Sequence, residues 1–375
     1  MRVAVIHNLP PGGARRRMGE HVRWMGHEVV EICPSTASPV TGDPIVVPLT
    51  TRAERLHRLL RPPIRYADHV AASRAWREVA RRIERVKPDV IYANPCRYFQ
   101  APPALRWTER PSLYFCDEPR RVDHEAAAAS SRRRGTVPMY APLYAMQRRA
   151  DGVSTARASH LCTNSRHSAA RILSAYGREA EVAPMGVPAA FGPNGEPSGE
   201  RVVSVGALIP TKGHDLVIQA AGVARTRRPV TVVAPRADPA EQRRLHAIAE
   251  AAGVSLDVRV AISDEELRQC LRSAHAVMYL AREEPFGLVA LEAQACGTPV
   301  VVSDEGGLPE TLLTERTGYA VARNAEAAAQ ALDRLDDPAR RAELSAGAAE
   351  FAAGQTWERA GVFIGDALAA VVDRA

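Results

Sequence analysis

Short apolar runs alternate with longer stretches of helical periodicity along most of the chain. Residues 2–7, 88–93 and 112–116 form apolar runs rich in β-branched or aromatic side chains, a pattern typical of strands buried on both faces. Residues 65–86 instead have apolar positions at helical spacing. Repeated alternation of strand and helix predicts a parallel sheet with helices on both of its faces.

The rest of the first half of the chain follows the same pattern. Further strands are predicted at residues 27–32, 45–48 and 160–163. Helices are predicted from a turn at Gly12-Gly13 to about residue 25, at residues 142–150, and from a cap at Asn164-Ser165 to residue 176.

The alternation stops at residues 185–199, which are rich in glycine and proline, and we interpret this segment as an interdomain linker. A second alternating series follows. Its strands are predicted at residues 201–205, 230–234, 255–258, 276–280 and 299–303. Its helices are predicted at residues 213–225, 239–252, 264–272, 287–295, 337–353 and 357–372.

The predicted fold class is therefore α/β, with two Rossmann-like doubly wound domains. The first domain is expected at residues 1–192 and the second at residues 193–355. Residues 356–375 are expected to form a C-terminal helix that crosses back to the first domain. Parallel sheets of this kind bind ligands at the carboxyl ends of their strands, so we expect the loops of both domains to face a central cleft.

The composition is that of an ordinary globular protein, with 46% hydrophobic and 25% charged residues. No apolar run reaches the roughly 20 residues that a membrane span needs. The apolar run at the N-terminus is too short for a signal peptide. Six cysteines are scattered without a CxxC pair, which favours reduced thiols and a cytoplasmic protein.

The net charge is +6, and arginines cluster at residues 15–17, 120–121, 132–134 and 148–149. No cluster is interleaved with aromatic side chains, so we interpret them as solvated surface and expect no nucleic-acid partner. An anionic acceptor or a membrane surface is the alternative. Only two lysines occur, Lys87 and Lys212, so whatever disfavours lysine in this chain is overridden at those two positions.

Residues 283–297, EEPFGLVALEAQACG, combine two carboxylates with a helix start. Phe286, Gly287 and Leu288 form a loop that turns into a helix, with a flexible glycine at the turn. A helix start presents unpaired N–H groups and a partial positive charge, so it accepts anions. Glu284 and Glu292 on either side suit hydroxyl groups. Together these features predict a ligand with phosphate and polyol parts, which describes a sugar nucleotide.

A second loop, GALIPTKG at residues 206–213, follows the first strand of the second domain. A loop with glycine at both ends and a cation inside is typical of a phosphate-facing loop. It is not a Walker motif, because the order GxxxxGK[ST] is absent. An exposed lysine on a tight turn is the alternative, and the scarcity of lysine elsewhere in the chain disfavours it.

With these motifs the chain resembles the family 4 glycosyltransferases of GT-B fold, which are retaining enzymes that use nucleotide-activated sugars. The resemblance covers nearly the whole chain. It rests on the two glutamates spaced E-x₇-E and on the segments HNLPPGG, TNSRHSAARI, APMGV, VGALIPTKGHDLVIQA and CGTPVVVSDEGGLPE.

The resemblance implies a role for each matching residue. Glu284 matches the glutamate that meets the donor sugar's hydroxyls near the reacting ring, and Glu292 matches the one that binds the ribose hydroxyls. Lys212 matches the lysine that neutralises the departing diphosphate. Further donor contacts are implied at the amides of Phe286, Gly287 and Leu288, at Gly206 in the lysine loop, near Val260 for the base, and at the first-domain turn Gly12-Gly13 over the phosphates.

The expected mechanism needs neither a metal nor a protein nucleophile. The departing diphosphate gains negative charge, which Lys212 and a helix start would stabilise in the transition state. A D-x-D pair, the usual carboxylate ligand for a phosphate-bridging Mg²⁺, occurs nowhere in the sequence. The resemblance implies that the acceptor attacks the face that the phosphate leaves, with that phosphate as proton acceptor. No cofactor is expected beyond the nucleotide sugar.

Two positions depart from the family pattern. Ala207 stands beside the first glycine of the lysine loop, where the family often has an arginine. Asp117, in YFCDEPRR, stands where many relatives have a histidine that touches the donor sugar. An ionised aspartate would accept a hydrogen bond from a sugar hydroxyl or hold a cationic acceptor. We predict that Asp117 is catalytic, and that His124 could substitute for the histidine as a substrate-binding residue; His7 is a weaker candidate.

The predicted function is a retaining glycosyltransferase that moves a sugar from a UDP- or GDP-sugar to a small hydroxylated or amino acceptor in bacterial secondary metabolism. One alternative is a lipid-linked or cell-envelope acceptor at the membrane, and another is a non-catalytic sugar-nucleotide binder. An epimerase or a phosphorylase of GT-B fold shares the architecture, but the loop around Lys212 does not suit a pyridoxal phosphate lysine. No GxGxxG follows either domain's first strand, which disfavours an NAD oxidoreductase.

Overall fold

The computed structural model describes residues 1–52, 61–124, 137–193, 195 and 199–375. This part of the chain divides into two compact units. The first consists of Met1–Pro184 together with Trp357–Ala375, and the second of Met185–Thr356. The first boundary follows Pro184, whereas the sequence pattern had placed it after residue 192.

The first unit is built on a seven-stranded parallel sheet in the order β3-β2-β1-β4-β5-β6-β7. Its central strands are buried on both faces, as their continuous apolar sequences predict. The strands are β1 (Arg2–Asn8), β2 (Glu28–Pro34), β3 (Ile45–Val47), β4 (Val90–Cys96), β5 (Ser112–Phe115), β6 (His160–Thr163) and β7 (Glu181–Val182).

Helices connect and cover these strands. They are Gly13–Trp24, Arg61–Val86, the single turn Arg121–His124, Val137–Arg157 and Arg166–Tyr176. The predicted cap of the last helix is confirmed, because the Ser165 side chain accepts the backbone N–H of Ser168. Trp76 on the long helix is fully buried in the core beside Ile6 and Ile91 of the sheet.

The C-terminal helix Trp357–Asp373 belongs to the first unit, as predicted. It packs on helix Gly13–Trp24 through two glycines: a Cβ at Gly361 would overlap Trp24, and one at Gly365 would overlap the backbone of Met25. The two helices therefore approach more closely than larger side chains would allow.

The second unit is built on a six-stranded parallel sheet in the order β10-β9-β8-β11-β12-β13. The strands are β8 (Val202–Val205), β9 (Val230–Ala234), β10 (Leu256–Val260), β11 (Ala276–Tyr279), β12 (Val300–Ser303) and β13 (Gly318–Val321). The helices are His214–Val223, Pro239–Ala252, Asp264–Arg272, Leu288–Ala295, Ala325–Arg334 and Pro338–Ala353.

Two elements of the second unit were missed by the sequence pattern. Strand β13 has only four residues, and helix Ala325–Arg334 owes much of its buried face to alanine, which is weakly apolar. The structure shows both to be integral to the second unit, since β13 pairs with β12 along its whole length.

The interpretation of residues 185–199 as a simple linker is corrected in its first half. Val187 and Phe191 are buried in the core of the second unit, and the Arg272 guanidinium donates to the Gly192 carbonyl at 2.7 Å. Glycine and proline here shape a segment that packs on the unit rather than one that merely spans a gap. Residues 194 and 196–198 lie outside the described chain.

Residues 125–136, which include the arginine cluster at residues 132–134, also lie outside the described chain. Among the helices that the structure describes, none is both long enough and apolar enough to cross a bilayer.

Candidate functional site

The second unit carries its candidate site where the strand order reverses. Strand β8 is flanked by β9 on one side and by β11 on the other, so the loops that follow β8 and β11 leave the sheet at neighbouring positions. In doubly wound sheets this switch point is where ligands bind. The loop after β8 carries Lys212, and the loop after β11 carries Glu284.

The loop after β8 is shaped by its two glycines. Gly213 has a φ of 72°, and a Cβ there would overlap the carbonyl oxygen of Leu280, so the loop lies directly on the end of β11. Just before it, Pro210–Lys212 form a 3₁₀ turn. A Cβ at Gly206 would lie 3.4 Å from Cγ of Lys212, which places the lysine stem over that glycine.

The loop after β11 is tied to its neighbours by backbone hydrogen bonds. The N–H of Arg282 donates to the carbonyl of Thr211 at 2.8 Å, which joins it to the lysine loop. The N–H of Gly307 donates to the carbonyl of Glu284 at 2.7 Å. Glu283 adopts a φ of 47°, uncommon for a residue with a side chain. Glu284 is thus held in a defined place from two sides.

The structure brings Lys212 and Glu284 together. Nζ of Lys212 lies 2.7 Å from Oε2 of Glu284 and donates to it, and it also donates to the hydroxyl of Tyr279 at 2.8 Å. Both side chains of the ion pair remain partly exposed. The alternative of an isolated surface lysine therefore does not describe Lys212.

Tyr279 is a residue that the sequence interpretation missed. It is the last residue of β11 and is 3% exposed. Its position in the sequence could have identified it, because a hydroxyl at the carboxyl end of an apolar strand lies at the ligand-binding edge of a parallel sheet.

The predicted helix start lies at Gly287. Gly287 occupies the N-cap position of helix Leu288–Ala295 with a φ of 106°, and no side chain caps the helix. A Cβ at Gly287 would overlap Cδ2 of the buried Leu308, so the turn depends on glycine. The first amides of a helix have no partner within it, which suits them to bind phosphate. Phe286 and Leu288 on either side are half-buried.

Glu292 is 2% exposed on the second turn of the same helix. Glutamate is seldom buried so completely, so its position is consistent with a carboxylate that serves a ligand or a specific internal contact. Val260 ends β10 and is half-buried, and the N–H of the next residue, Ala261, donates to the carbonyl of Ala234 at 2.9 Å. The roles predicted for Glu292 and Val260 remain predictions.

The first unit also has its switch point between two central strands, β1 and β4. Gly12, the N-cap of helix Gly13–Trp24, follows β1 and has a φ of 155°. No side chain caps this helix either, and both Gly12 and Gly13 are exposed. Their predicted contact with the donor phosphates remains a prediction.

Asp117 has a partner within the chain. The guanidinium of Arg17 donates from Nε to Oδ1 of Asp117 at 3.0 Å and from its second nitrogen to Oδ2 at 3.1 Å. Arg17 is 1% exposed, and its other N–H groups donate to Tyr92 and Asn94. Burial would lower the pKa of Arg17, but the neighbouring Asp117 carboxylate and Tyr92 raise it above its ordinary value.

This geometry changes the interpretation of Asp117. Oδ1 also accepts a hydrogen bond from the side-chain amide of Asn164 at 3.3 Å, and the backbone carbonyl accepts from the Ser168 hydroxyl. The cation beside Asp117 in this structure is Arg17, so holding a cationic acceptor is not needed to explain an aspartate here. Sequence reasoning missed the pair because its members lie 100 residues apart.

The two histidines considered beside Asp117 differ. His124 ends the single helical turn Arg121–His124. His7 is fully buried; its Nδ1 accepts the N–H of Leu9 and its Nε2 therefore donates to Glu31 at 2.7 Å. Burial alone would raise the pKa of Glu31, but hydrogen bonds from His7 and Thr41 outweigh that effect. The pKa of Glu31 therefore lies below its ordinary value. The His7–Glu31 pair is a satisfied structural contact.

Comparison with known proteins agrees with this geometry. Residues 189–351, nearly the whole of the second unit, match the family model for Glycosyl transferases group 1. The second unit is a group 1 glycosyl transferase domain. Lys212, Glu284, Gly287 and Glu292 all lie within it, and the resemblance to glycosyltransferases inferred from the sequence is confirmed.

Named relatives match over part of their length. A D-inositol 3-phosphate glycosyltransferase of Arthrobacter sp. (strain FB24) is 35% identical over 240 residues, which are 58% of this chain and 57% of that protein. One of Frankia alni is 40% identical over 172 residues, 42% of each chain. The matched part of the chain thus spans 57% of the first of these curated relatives and 42% of the second.

Solved structures match over the whole chain. A sucrose-phosphate synthase from Thermosynechococcus elongatus has a TM-score of 0.76 at 20% identity, covering 100% of both chains. Anabaena HepE in complex with UDP has a TM-score of 0.74 at 18% identity, also covering 100% of both. These likenesses show the fold: the group 1 domain and the first unit are the two Rossmann-like domains of a GT-B chain.

Proposed function

We propose that this protein is a retaining glycosyltransferase that transfers a sugar from a UDP-sugar to a small polar acceptor. The observation that carries the proposal is the meeting of Lys212, Glu284 and the uncapped helix start at Gly287 at the switch point of one sheet. A cation and free amides suit a diphosphate, and a carboxylate suits sugar hydroxyls.

The proposed role of each residue follows from the charge that develops during the reaction. As the bond between the sugar and the phosphate breaks, negative charge grows on the departing diphosphate. The Lys212 ammonium and the amides at the start of helix Leu288–Ala295 would interact more strongly with the diphosphate in the transition state than in the ground state. This difference lowers the activation barrier. Glu284 would orient the sugar through its hydroxyls, and Glu292 would hold the ribose.

The reaction is proposed to need no metal, because the sequence has no D-x-D pair and Lys212 and the helix start can meet the diphosphate charge. Turnover should therefore persist after exhaustive treatment with EDTA. A loss of turnover that Mg²⁺ or Mn²⁺ restores would contradict this part of the proposal.

The donor is best tested with a panel of UDP-, GDP- and dTDP-sugars. A UDP-sugar is proposed first, because Anabaena HepE, a protein of similar fold, has been solved in complex with UDP and with UDP-glucose. A ligand that binds the native state raises the melting temperature according to its affinity. A shift with a UDP-sugar, followed by release of UDP in the presence of acceptor, supports transfer. Binding without UDP release under any acceptor would favour a non-catalytic binder.

The acceptor proposal is a small hydroxylated molecule, with phosphorylated cyclitols as the first class to test. Its support is the name shared by several curated relatives, which are D-inositol 3-phosphate glycosyltransferases. UDP release should rise with an inositol phosphate over unphosphorylated inositol. Equal rates with both would argue that phosphate is not part of acceptor recognition.

A lipid-linked acceptor at a membrane is the second candidate, and one surface favours it. Helix Arg61–Val86 carries Arg77, Arg81 and Arg85, which with Glu84 and Trp107 line a groove of about 440 Å³, so that cations outnumber the single carboxylate. Arginine and tryptophan together suit an anionic membrane surface. Co-sedimentation with anionic vesicles that is lost at high salt, and lost when these arginines are changed to glutamine, would favour this acceptor over the small one.

A further inference from the structure

Tyr279 contacts both parts of the candidate phosphate site. Its hydroxyl accepts a hydrogen bond from Nζ of Lys212 at 2.8 Å, and Nζ lies 5.4 Å from the centre of its ring. A Cβ at Gly287 would lie 3.6 Å from Cε1 of the same ring, so the tyrosine also supports the turn before helix Leu288–Ala295. The ring is buried in the core of the second unit and has little freedom to move.

The ammonium of Lys212 has three N–H donors. Two of them are directed to fixed acceptors, the carboxylate of Glu284 and the hydroxyl of Tyr279. Glu284 is fixed because its backbone carbonyl accepts from Gly307, and Tyr279 is fixed by burial. With two of the three directions defined, the direction of the third N–H is defined as well.

We propose that Tyr279 is a positioning residue: its hydroxyl keeps the third N–H of Lys212 directed at the departing diphosphate. This inference rests on the donor site proposed above and adds a residue to it. Tyr279 does not itself touch the reacting atoms. It acts through Lys212.

The need for such positioning follows from the loop's own composition. Lysine is a single charge on a flexible four-carbon stem, and fixing that stem costs rotamer entropy. Lys212 is the only cationic side chain among residues 206–213, GALIPTKG. The next residue, His214, is buried and bonded to Ser204 and Ala207, and burial lowers its pKa, so it stays neutral. The loop therefore depends on one well-placed lysine.

The test uses Tyr279→Phe, which keeps the ring and removes only the hydroxyl. Because the lost contact acts on charge that develops as the diphosphate leaves, kcat with the UDP-sugar should fall about tenfold while KM for the donor changes little. The matched control is Tyr319→Phe. Tyr319 is also 3% exposed in the same unit, and its hydroxyl also accepts from a cation, Nε of Arg340 at 3.2 Å.

A double-mutant cycle shows whether the tyrosine acts through the lysine. Adding Tyr279→Phe to Lys212→Gln should cause no further loss of kcat, because the hydroxyl then has no ammonium to direct. Additive losses in the cycle, or a Tyr279→Phe enzyme no more impaired than the Tyr319→Phe control, would overturn the inference.

A second measurement does not depend on turnover. The chain has only two lysines, so protein labelled with ¹³C at the lysine ε-carbon gives two signals, and Lys212→Gln assigns them. Tyr279→Phe should move the Lys212 signal of the free protein and leave Lys87 in place, while Tyr319→Phe moves neither. An unmoved Lys212 signal would overturn the positioning role even if the variant is unstable in assays.

The same spectrum separates the two proposals. Addition of UDP to the wild type should move the Lys212 signal; if it does not, the proposed donor site fails. If UDP moves it but Tyr279→Phe changes neither the signal nor kcat, the donor site stands and only the role of Tyr279 fails.

Discussion

Nζ of Lys212 lies 2.7 Å from Oε2 of Glu284, although the two residues are 72 positions apart in the chain. They meet because β8 and β11 are neighbours in the sheet and each loop leaves the carboxyl end of its strand. The fold thus places a cation, a carboxylate and a helix start close together. Such preorganisation is what stabilisation of developing charge requires.

Glu284→Gln should lower turnover more than donor affinity. The amide keeps the shape of the side chain but loses the charge that pairs with Lys212 and the acceptor strength that orients sugar hydroxyls. We expect kcat to fall by about tenfold to a hundredfold, with a smaller change in the dissociation constant of the UDP-sugar. Glu283→Gln, the neighbouring carboxylate on the same loop, is the control. Equal losses in turnover and affinity would argue against a place near the reacting ring.

Gly287→Ala should destabilise the second unit and weaken binding of UDP together. An alanine there must adopt a φ of 106° and push against the buried Leu308, which together should cost about 2 kcal/mol or more in the free energy of unfolding. Gly297→Ala is the matched control, with a φ of 77° but only ordinary contact to Pro193 at 3.5 Å, and should cost about 1 kcal/mol.

Urea unfolding measures the free energy of unfolding of both variants, and calorimetric titration measures their affinity for UDP. If Gly287→Ala is no less stable than Gly297→Ala and binds UDP as the wild type does, the turn at Gly287 is not the phosphate cradle.

Asp117→Asn should destabilise the first unit by about 3–5 kcal/mol, because it leaves the buried guanidinium of Arg17 without its carboxylate. The control is Asp257→Asn, which breaks an exposed pair with Arg259 and should cost less than about 1 kcal/mol. Urea unfolding compares the two. A variant of Asp117 that keeps its stability but loses turnover would restore this aspartate to the catalytic role first predicted for it.

Asp151 should make stability fall as pH rises. It is 1% exposed, and burial raises its pKa to about 6 from an ordinary 3.8 despite hydrogen bonds from Tyr176 and Ala101. The folded state therefore holds the proton more tightly than the unfolded chain. The stability that this gives is fully present below about pH 4 and is lost as pH rises through about 6.

Asp151→Asn removes this titration, so the difference in unfolding free energy between variant and wild type is the quantity to measure. Relative to the wild type, the free energy of unfolding of Asp151→Asn should increase by up to about 3 kcal/mol as the pH rises from 4 to 7. A difference that stays constant across this range would contradict the buried ionisation of Asp151.

Most of the fold could be predicted because its strands are continuous apolar runs and its helices have recognisable ends. Helices Pro239–Ala252 and Asp264–Arg272 lie where the pattern placed them, and their capping residues, Asp238 and Ser263, accept the expected backbone N–H groups. The first half of the residue 185–199 segment was misinterpreted because its packing comes from isolated residues such as Phe191, which have no periodicity.

The candidate site could be predicted only where its signal is local. Lys212 and Gly287 lie in loops with distinctive composition, and their loops were identified from sequence. The pairing of Lys212 with Tyr279, and of Arg17 with Asp117, depends on which strands are neighbours in the sheet. No spacing along the chain encodes such pairs, so the sequence could supply the chemical groups but not their partners.

The central claim is that Lys212 belongs to a nucleotide-sugar site, and the presence of only two lysines makes the test direct. UDP should be titrated calorimetrically into the wild type, Lys212→Gln and Lys87→Gln. We predict that the wild type and Lys87→Gln bind with equal affinity, and that Lys212→Gln binds at least about tenfold more weakly, because one charge-assisted contact to phosphate is lost. Binding of UDP to Lys212→Gln with unchanged affinity, or no binding to the wild type, would contradict the account.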